Sequence, residues 1–198
     1  MVNNQSAAAT ATATAAVLRK ARLSDVPAML GLINGYAAQG IMLPRTEFDL
    51  SESIRDFTVA HVGDELAGCA ALHFYTPHMA EVRSLAVSPA FSGAGIGRLL
   101  VEALLDEARD FSLDAVFAFT YVAGFFARLG FGEIERGLLP LKAWKDCMRC
   151  KKFSSCDEIA VLHVLDAERW RAHGLEALPV PDDDDVRFPI LKPSPIHE

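Results

Sequence analysis

A chain of 198 residues with 51% hydrophobic and 23% charged residues is long enough to bury a substantial core as one domain. Its formal net charge of −7 offers no basic footprint for nucleic acid. No apolar run is long enough to span a bilayer, so neither nucleic acid nor a membrane is expected as a partner.

The chain opens on an Ala/Thr-rich stretch, residues 1–16, expected to be a disordered tail. Arg19 and Lys20 follow it, the reverse of the order a secretory signal uses. With no export signal and four cysteines, the reducing cytoplasm is the expected compartment. Residues 17–166 then read as the folded domain. Val17 to Ala21 is a short strand. Ser24 or Asp25 caps a helix with Pro27 in its first turn and Met29, Leu30, Leu32 and Ile33 as its apolar positions; Gly40 closes it. Ile41 to Thr46 is a loop held extended by Pro44, and Glu47 to Ile54 a second helix. Phe57 to Val62, Gly63-Asp64 and Leu66 to Tyr75 form a hairpin. Thr76-Pro77-His78 turns the chain into a central strand, Val82 to Val87, stopped by Ser88-Pro89.

Three glycines follow that strand at alternate positions, Gly93, Gly95 and Gly97. Behind them Ile96, Leu99, Leu100, Ala103 and Leu104 recur at the spacing of one helix face. Strand, glycine loop and helix start make a site for an anion. The loop lets backbone N–H groups converge, and the helix end adds free donors and the positive end of its dipole. The G-x-G-x-G spacing lacks the pattern of a dinucleotide fold, and no Lys-Ser/Thr follows as in a P-loop. A plain strand-loop-helix connection with glycines for close packing is the alternative. Further on, Ala115 to Tyr121 is a strand, Gly124 begins a turn, and Phe125 to Leu129 is a short helix closed by Gly130. Phe131 to Glu135 and Ile159 to Leu165 are the last strands, and Ala167 to His173 the last helix. Residues 167–198 read as that helix and an acidic Pro/Asp-rich tail. The order β-α-α-β-β-β-α-β-α-β-β describes an α/β fold, a mixed sheet with helices on its faces.

Ser92-Gly93-Ala94-Gly95-Ile96-Gly97 resembles the acetyl-CoA loop of the GNAT N-acetyltransferases, Gln/Arg-x-x-G-x-G/A. Ser92 stands where that family has Gln or Arg. The preceding S-L-A-V-S-P and the F-F-A-R-L-G-F of Phe125 to Phe131 resemble the same family. The resemblance covers residues 17–166 and implies the acyl-CoA N-acyltransferase fold, with acetyl-CoA as cosubstrate. In that fold the central strand and the strand at Ala115 to Tyr121 splay apart around the pantetheine arm. It assigns the cofactor contacts to Leu85, Ala86, Val87, Ser92, Gly93, Ala94, Gly95, Ile96 and Gly97. Arg98 either touches a phosphate or is an exposed helix arginine.

Acetyl transfer to an amine needs a base, a donor for the carbonyl oxygen and a proton for the departing thiolate. Glu81 is the candidate base, against the alternative of a solvated strand-entry glutamate. The N–H near Leu85 is the candidate oxyanion donor. Phe126 occupies the place where many relatives carry a tyrosine acid, leaving Tyr121, Thr120 or water. Gln39 to Arg45, Ile54 to Val59, Cys69 to Leu72 and Trp144 to Glu158 further resemble the N-acetylglutamate synthases, which make N-acetyl-L-glutamate in the first step toward arginine. The amino-acid-kinase-like domain of many of those enzymes has no counterpart here. Two acceptor carboxylates call for arginine forks. Arg45 is the first candidate and Arg83 the second, and Arg149, Lys151 and Lys152 fall in a segment that the resemblance places beside the acceptor. Another amino acid or amine as acceptor and a non-catalytic CoA- or metabolite-sensing module stand as alternatives, and the expected partners are a small-molecule substrate and, in a homodimer, a second copy of the chain. Cys147, Cys150 and Cys156 are either reduced cysteines in a packed loop or zinc ligands, with Cys69, Asp157 or His163 as the fourth.

Overall fold

The computed structural model describes residues 16–139 and 156–173. Among the described residues seven strands form one sheet in the order β1-β2-β3-β4-β5-β7-β6. They are β1 Val17–Lys20, β2 Phe57–Val62, β3 Glu65–Phe74, β4 Met79–Val87, β5 Ala115–Thr120, β6 Gly132–Ile134 and β7 Ile159–Val164. All pairings are antiparallel except β4 with β5. The α-helices of the described residues are α1 Val26–Ala37, α2 Glu47–Glu52, α3 Ile96–Asp110, α4 Ala123–Ala127 and α5 Ala167–His173.

Period-two alternation divides the sheet into two faces. Ala70 and Leu72 of β3, Ala80 and Val82 of β4, and Val116 and Ala118 of β5 pack with α3 and with Phe126 of α4. On the opposite face Cys69 and Ala71 meet Val26, Met29 and Ile33 of α1 and Leu50 of α2. Farther along that face Met79, Phe117 and Ala160 form a third cluster, on which Trp170 of α5 packs. Each fully buried Leu, Ile or Phe here contributes roughly 1.5–3 kcal/mol relative to exposure, so the two-sided burial of β3, β4 and β5 outweighs any single surface interaction.

Element types follow the sequence, with differences at the ends. Asp25 does not cap α1 with its side chain; it accepts the Arg22 amide and the Arg19 guanidinium instead. The second predicted helix stops at Glu52. Thr46 and Asp49 close its start reciprocally, while Ser53 donates back to the Asp49 carbonyl and a 3-10 turn, Ile54–Asp56, takes over. β4 begins at Met79, ahead of the predicted Val82, because Met79 to Glu81 pair with β5. Gly124 lies inside α4 rather than in a turn before it. α3 is rotated from the predicted face: Leu99 is 40% exposed, and Val101, Leu105 and Ala108 complete the buried stripe with Ile96, Leu100 and Leu104. The helix carries more apolar residues than one face needs, and packing against the sheet selects which are covered.

Candidate active site

The site grows from a defect in β4. Met79, Ala80 and Glu81 pair with Ala115, Val116 and Phe117, and there the β4–β5 ladder ends. Among the described residues no strand joins β4 on its β5 side from Val82 to Val87, and a cleft opens between the two strands. On the other edge, Ala71 pairs with Arg83 and Cys69 with Ala86, so β4 carries one residue more than β3 across the same interval. The surplus is a β-bulge. Ser84 sits in it at a φ of 53°, and neither Ser84 nor Leu85 is in register with a β3 residue. The bulge also reverses alternation. Glu81 and Arg83 share the α1 face, whereas Leu85 and Val87 turn to the α3 face.

Glu81 is 2% exposed, so it is not the solvated strand-entry glutamate that the sequence allowed as one alternative. Tyr75 donates its hydroxyl to Glu81 Oε2 at 3.1 Å. Tyr75 itself packs edge-on against His73, 5.2 Å between rings, and tilted against Phe117. His73 Nδ1 lies 2.7 Å from Asp56. His73, Glu81, Phe117 and Leu162 stand in one row across four strands. Nothing in the sequence pattern singles out Tyr75, because its role depends on β3 and β4 folding back on each other.

At the mouth of the cleft the glycine loop shapes a cavity of about 400 Å³. Val87, Phe91, Ser92, Gly93, Gly95, Ile96, Gly97 and Arg98 line one side, and Phe125, Arg128 and Leu129 the other. Gly93 and Gly95 have φ of +77° and +82°, and a Cβ at either would project into open space. The left-handed backbone, not crowding, is what requires glycine here. Gly95 is the N-cap of α3 and makes no side-chain cap bond, so the first-turn N–H groups are left for another acceptor. This donor set, curved and rimmed by cations, fits a phosphate or pyrophosphate.

Ala94 completes the loop with its amide on the Phe91 carbonyl. Arg98 is exposed and pairs with Glu102 at 2.8 Å, so its charge is already shared. Arg128 at the end of α4 faces the same cavity; its only sequence signal was its place in F-F-A-R-L-G-F. Ala86 is buried against α1, which leaves its backbone alone for any ligand. The Val87 carbonyl accepts the Tyr36 hydroxyl at 2.7 Å, which ties α1 to the end of β4.

Phe126 turns into the α3 core, 3% exposed, against Phe125 and Phe131. Of the substitute acids, Thr120 is buried and its oxygen accepts the Val122 amide, while Tyr121 is 38% exposed. Arg45 is half-buried. Its backbone is held in both directions by Asn34, at 2.9 Å each, and Met42 of the same loop packs into the α1 cluster. The loop therefore lies on the face that carries Glu81 and Arg83. Arg149, Lys151, Lys152, Cys147 and Cys150 lie outside the described residues. Cys156 is half-buried, with its carbonyl on Arg136, and belongs to no group of three or more His, Cys or carboxylate ligands among the described residues. Cys69 is in the core, where burial pushes its thiol up to about 12, and His163 sits 3.1 Å from the Leu129 carbonyl.

Residues 35–131 match the Acetyltransferase (GNAT) family. The chain is 45% identical over 148 residues to an N-acetyltransferase of Chlorobaculum tepidum, spanning 75% of this chain and 96% of that one. It is 44% identical over 122 residues to an amino-acid acetyltransferase of Mycobacterium tuberculosis, 60% of this chain and 70% of the relative. Among solved structures, N-acetylglutamate synthase from Neisseria gonorrhoeae, complexed with coenzyme A and N-acetyl-glutamate, superposes with a TM-score of 0.70 at 28% identity. That match covers 76% of this chain and 35% of the synthase. A mixed sheet parted at β4 and β5, with a glycine loop leading into α3, is the acetyltransferase architecture, and this chain belongs to the GNAT acetyltransferase family. It is an N-acetyltransferase enzyme.

Proposed function

We propose that this enzyme transfers the acetyl group of acetyl-CoA to the α-amino group of L-glutamate, the step that opens arginine synthesis. The observation that carries the reading is the placement of Glu81 and Arg83 two residues apart on one face of β4, where β5 departs. A carboxylate beside an arginine suits an acceptor that is both amine and acid. The names of the M. tuberculosis and N. gonorrhoeae relatives support an amino-acid acceptor and coenzyme A as the cosubstrate.

Acetyl-CoA supplies an activated thioester, and the cavity at Gly93 to Gly97 is where its phosphates would be held, with Arg98 and Arg128 at the rim. Glu81 takes a proton from the acceptor ammonium, directly or through one water, and so generates the nucleophilic amine. Tyr75 holds the carboxylate in place. The Leu85 N–H, in the bulge, stabilises negative charge developing on the carbonyl oxygen. Arg45 and Arg83 fix the acceptor carboxylates by charge-assisted bonds. The proton for the thiolate comes from Tyr121 or from water.

The test incubates the protein with acetyl-CoA and each amino acid in turn and follows thiol release. Glutamate is expected to give the largest kcat/KM. Glu81→Gln should lower kcat by roughly 10²–10⁴-fold, the usual contribution of a general base, with coenzyme A affinity retained. Unchanged turnover in Glu81→Gln removes the base assignment, and a preference for an amine without a carboxylate removes glutamate.

A further inference from the structure

We infer that His78, Asp114 and His173 form a site for a divalent transition-metal ion, separate from the acetyl-transfer cleft. The three residues come from three elements: the turn before β4, the loop between α3 and β5, and the last residue of α5. One ligand atom from each lies within 4.8 Å of the others. Both imidazoles direct Nδ1 at the same carboxylate oxygen, Asp114 Oδ2, at 3.1 Å from His78 and 2.6 Å from His173. The rings stand side by side, 3.9 Å apart and 27° from parallel. Two imidazole nitrogens and one carboxylate oxygen are the donor set that zinc and nickel favour.

Asp114 explains why the group points to a ligand and not to hydrogen bonding alone. It is 0% exposed, and a buried carboxylate normally has its lone pairs satisfied. Its Oδ2 is shared by two histidines, while Oδ1 has no hydrogen-bond partner among the described residues. Arg169 Nε stands 3.2 Å from Oδ1 but gives its proton to Asp166 at 3.0 Å. It acts there as a nearby charge that orients the carboxylate, a role that supporting groups commonly play around metal ligands. The two histidines are 39% and 40% exposed at the side chain, so an ion can reach the site from solvent and the rings can turn to meet it. A metal would replace the Nδ1 protons, with one proton released to solvent per imidazole that had carried it there.

The backbone gives the site a task. The amides of Asp114 and Ala115 bond to the His78 carbonyl, and the amides of Leu165 and Asp166 to the Asp114 carbonyl. Asp114 thus joins the turn before β4, the start of β5 and the approach to α5. An ion there would pin α5 to the closed end of the β4–β5 pair, the end away from the cleft.

Calorimetric titration of the metal-free protein with ZnCl2 and with NiCl2 tests the proposal, together with thermal melts at each metal concentration. One equivalent is expected to bind and to raise Tm. His78→Ala and His173→Ala are half-exposed positions that should fold, and each should weaken that binding by roughly a hundredfold, at least what loss of a supporting partner costs a metal site. Cys147→Ser with Cys150→Ser should leave this equivalent in place. Binding that is absent at millimolar metal, or that survives both histidine substitutions, overturns the proposal.

Discussion

At the scale of single residues, the arrangement on β4 separates the roles of its charges. Glu81 is buried, bonded to Tyr75 and in register with Phe117, whereas Arg83 is half-buried and nearer the open end of the cleft. Arg45 reaches the same face from a loop whose backbone Asn34 clamps. If both arginines hold acceptor carboxylates, Arg45→Glu and Arg83→Gln should each raise the glutamate KM by about 10–100-fold, since a hydrogen bond to a charged group contributes roughly 1.5–3 kcal/mol. The KM for acetyl-CoA should stay unchanged, because its loop lies on α3. Steady-state kinetics in both substrates make the check; a glutamate KM that does not move for either variant ends the carboxylate role. The residues of this site were readable in unequal measure. Glu81 and Arg83 stood out as charges in an apolar strand, but Tyr75 and Tyr36 act through contacts that only the folded sheet creates.

At the scale of elements, the β4–loop–α3 unit was the most legible part of the chain. Glycine at alternate positions after a strand stop carries its own geometric meaning, and the φ of +77° at Gly93 and +82° at Gly95 bears it out. Gly95→Val puts a β-branched residue into a left-handed conformation on the lining of the proposed phosphate cavity. The coenzyme A Kd should rise at least about tenfold, and the intrinsic conformational strain of about 1–2 kcal/mol should appear as a lower Tm. Calorimetry with coenzyme A decides it: undiminished binding removes the loop as the phosphate site. The orientation of α3 was less legible. Leu99 and Val101 are equally apolar, and the choice between them is made by the sheet.

For the whole molecule, stability at low pH depends on how β1 is fastened to the start of α1. Arg19 meets both oxygens of Asp25 at 2.7 and 2.8 Å, and the Arg22 amide adds a third bond at 2.7 Å. The Arg19 guanidinium, chiefly, holds the Asp25 carboxyl down at about 2. A depressed carboxyl stabilises the fold at pH values above the unfolded carboxyl range near 4 and loses that contribution as pH falls through about 2. Arg19 is one-third exposed, so screening reduces the effect to roughly 1–2 kcal/mol. Asp25→Asn should lower urea-unfolding stability by about that much at pH 7, and the gap from the parent protein should close as pH approaches 2. A gap that is the same at both pH values assigns the loss to packing instead.

The sequence alone determined the element order and the glycine loop, because these rest on local rules: period-two and helical spacing, proline stops, and glycine where the backbone turns left-handed; the family was legible only through the resemblance of its motifs. The tertiary structure alone decided what depends on distant segments meeting. It ended the β4–β5 ladder at Glu81 and placed the surplus residue of β4 at Ser84, which sets Glu81 and Arg83 on one face and Leu85 on the other. It also brought His78, Asp114 and His173 together across 95 positions of chain. No local pattern could announce that cluster, since its members share no strand or helix and owe their meeting to the parallel pairing that sets the turn before β4 beside the start of β5.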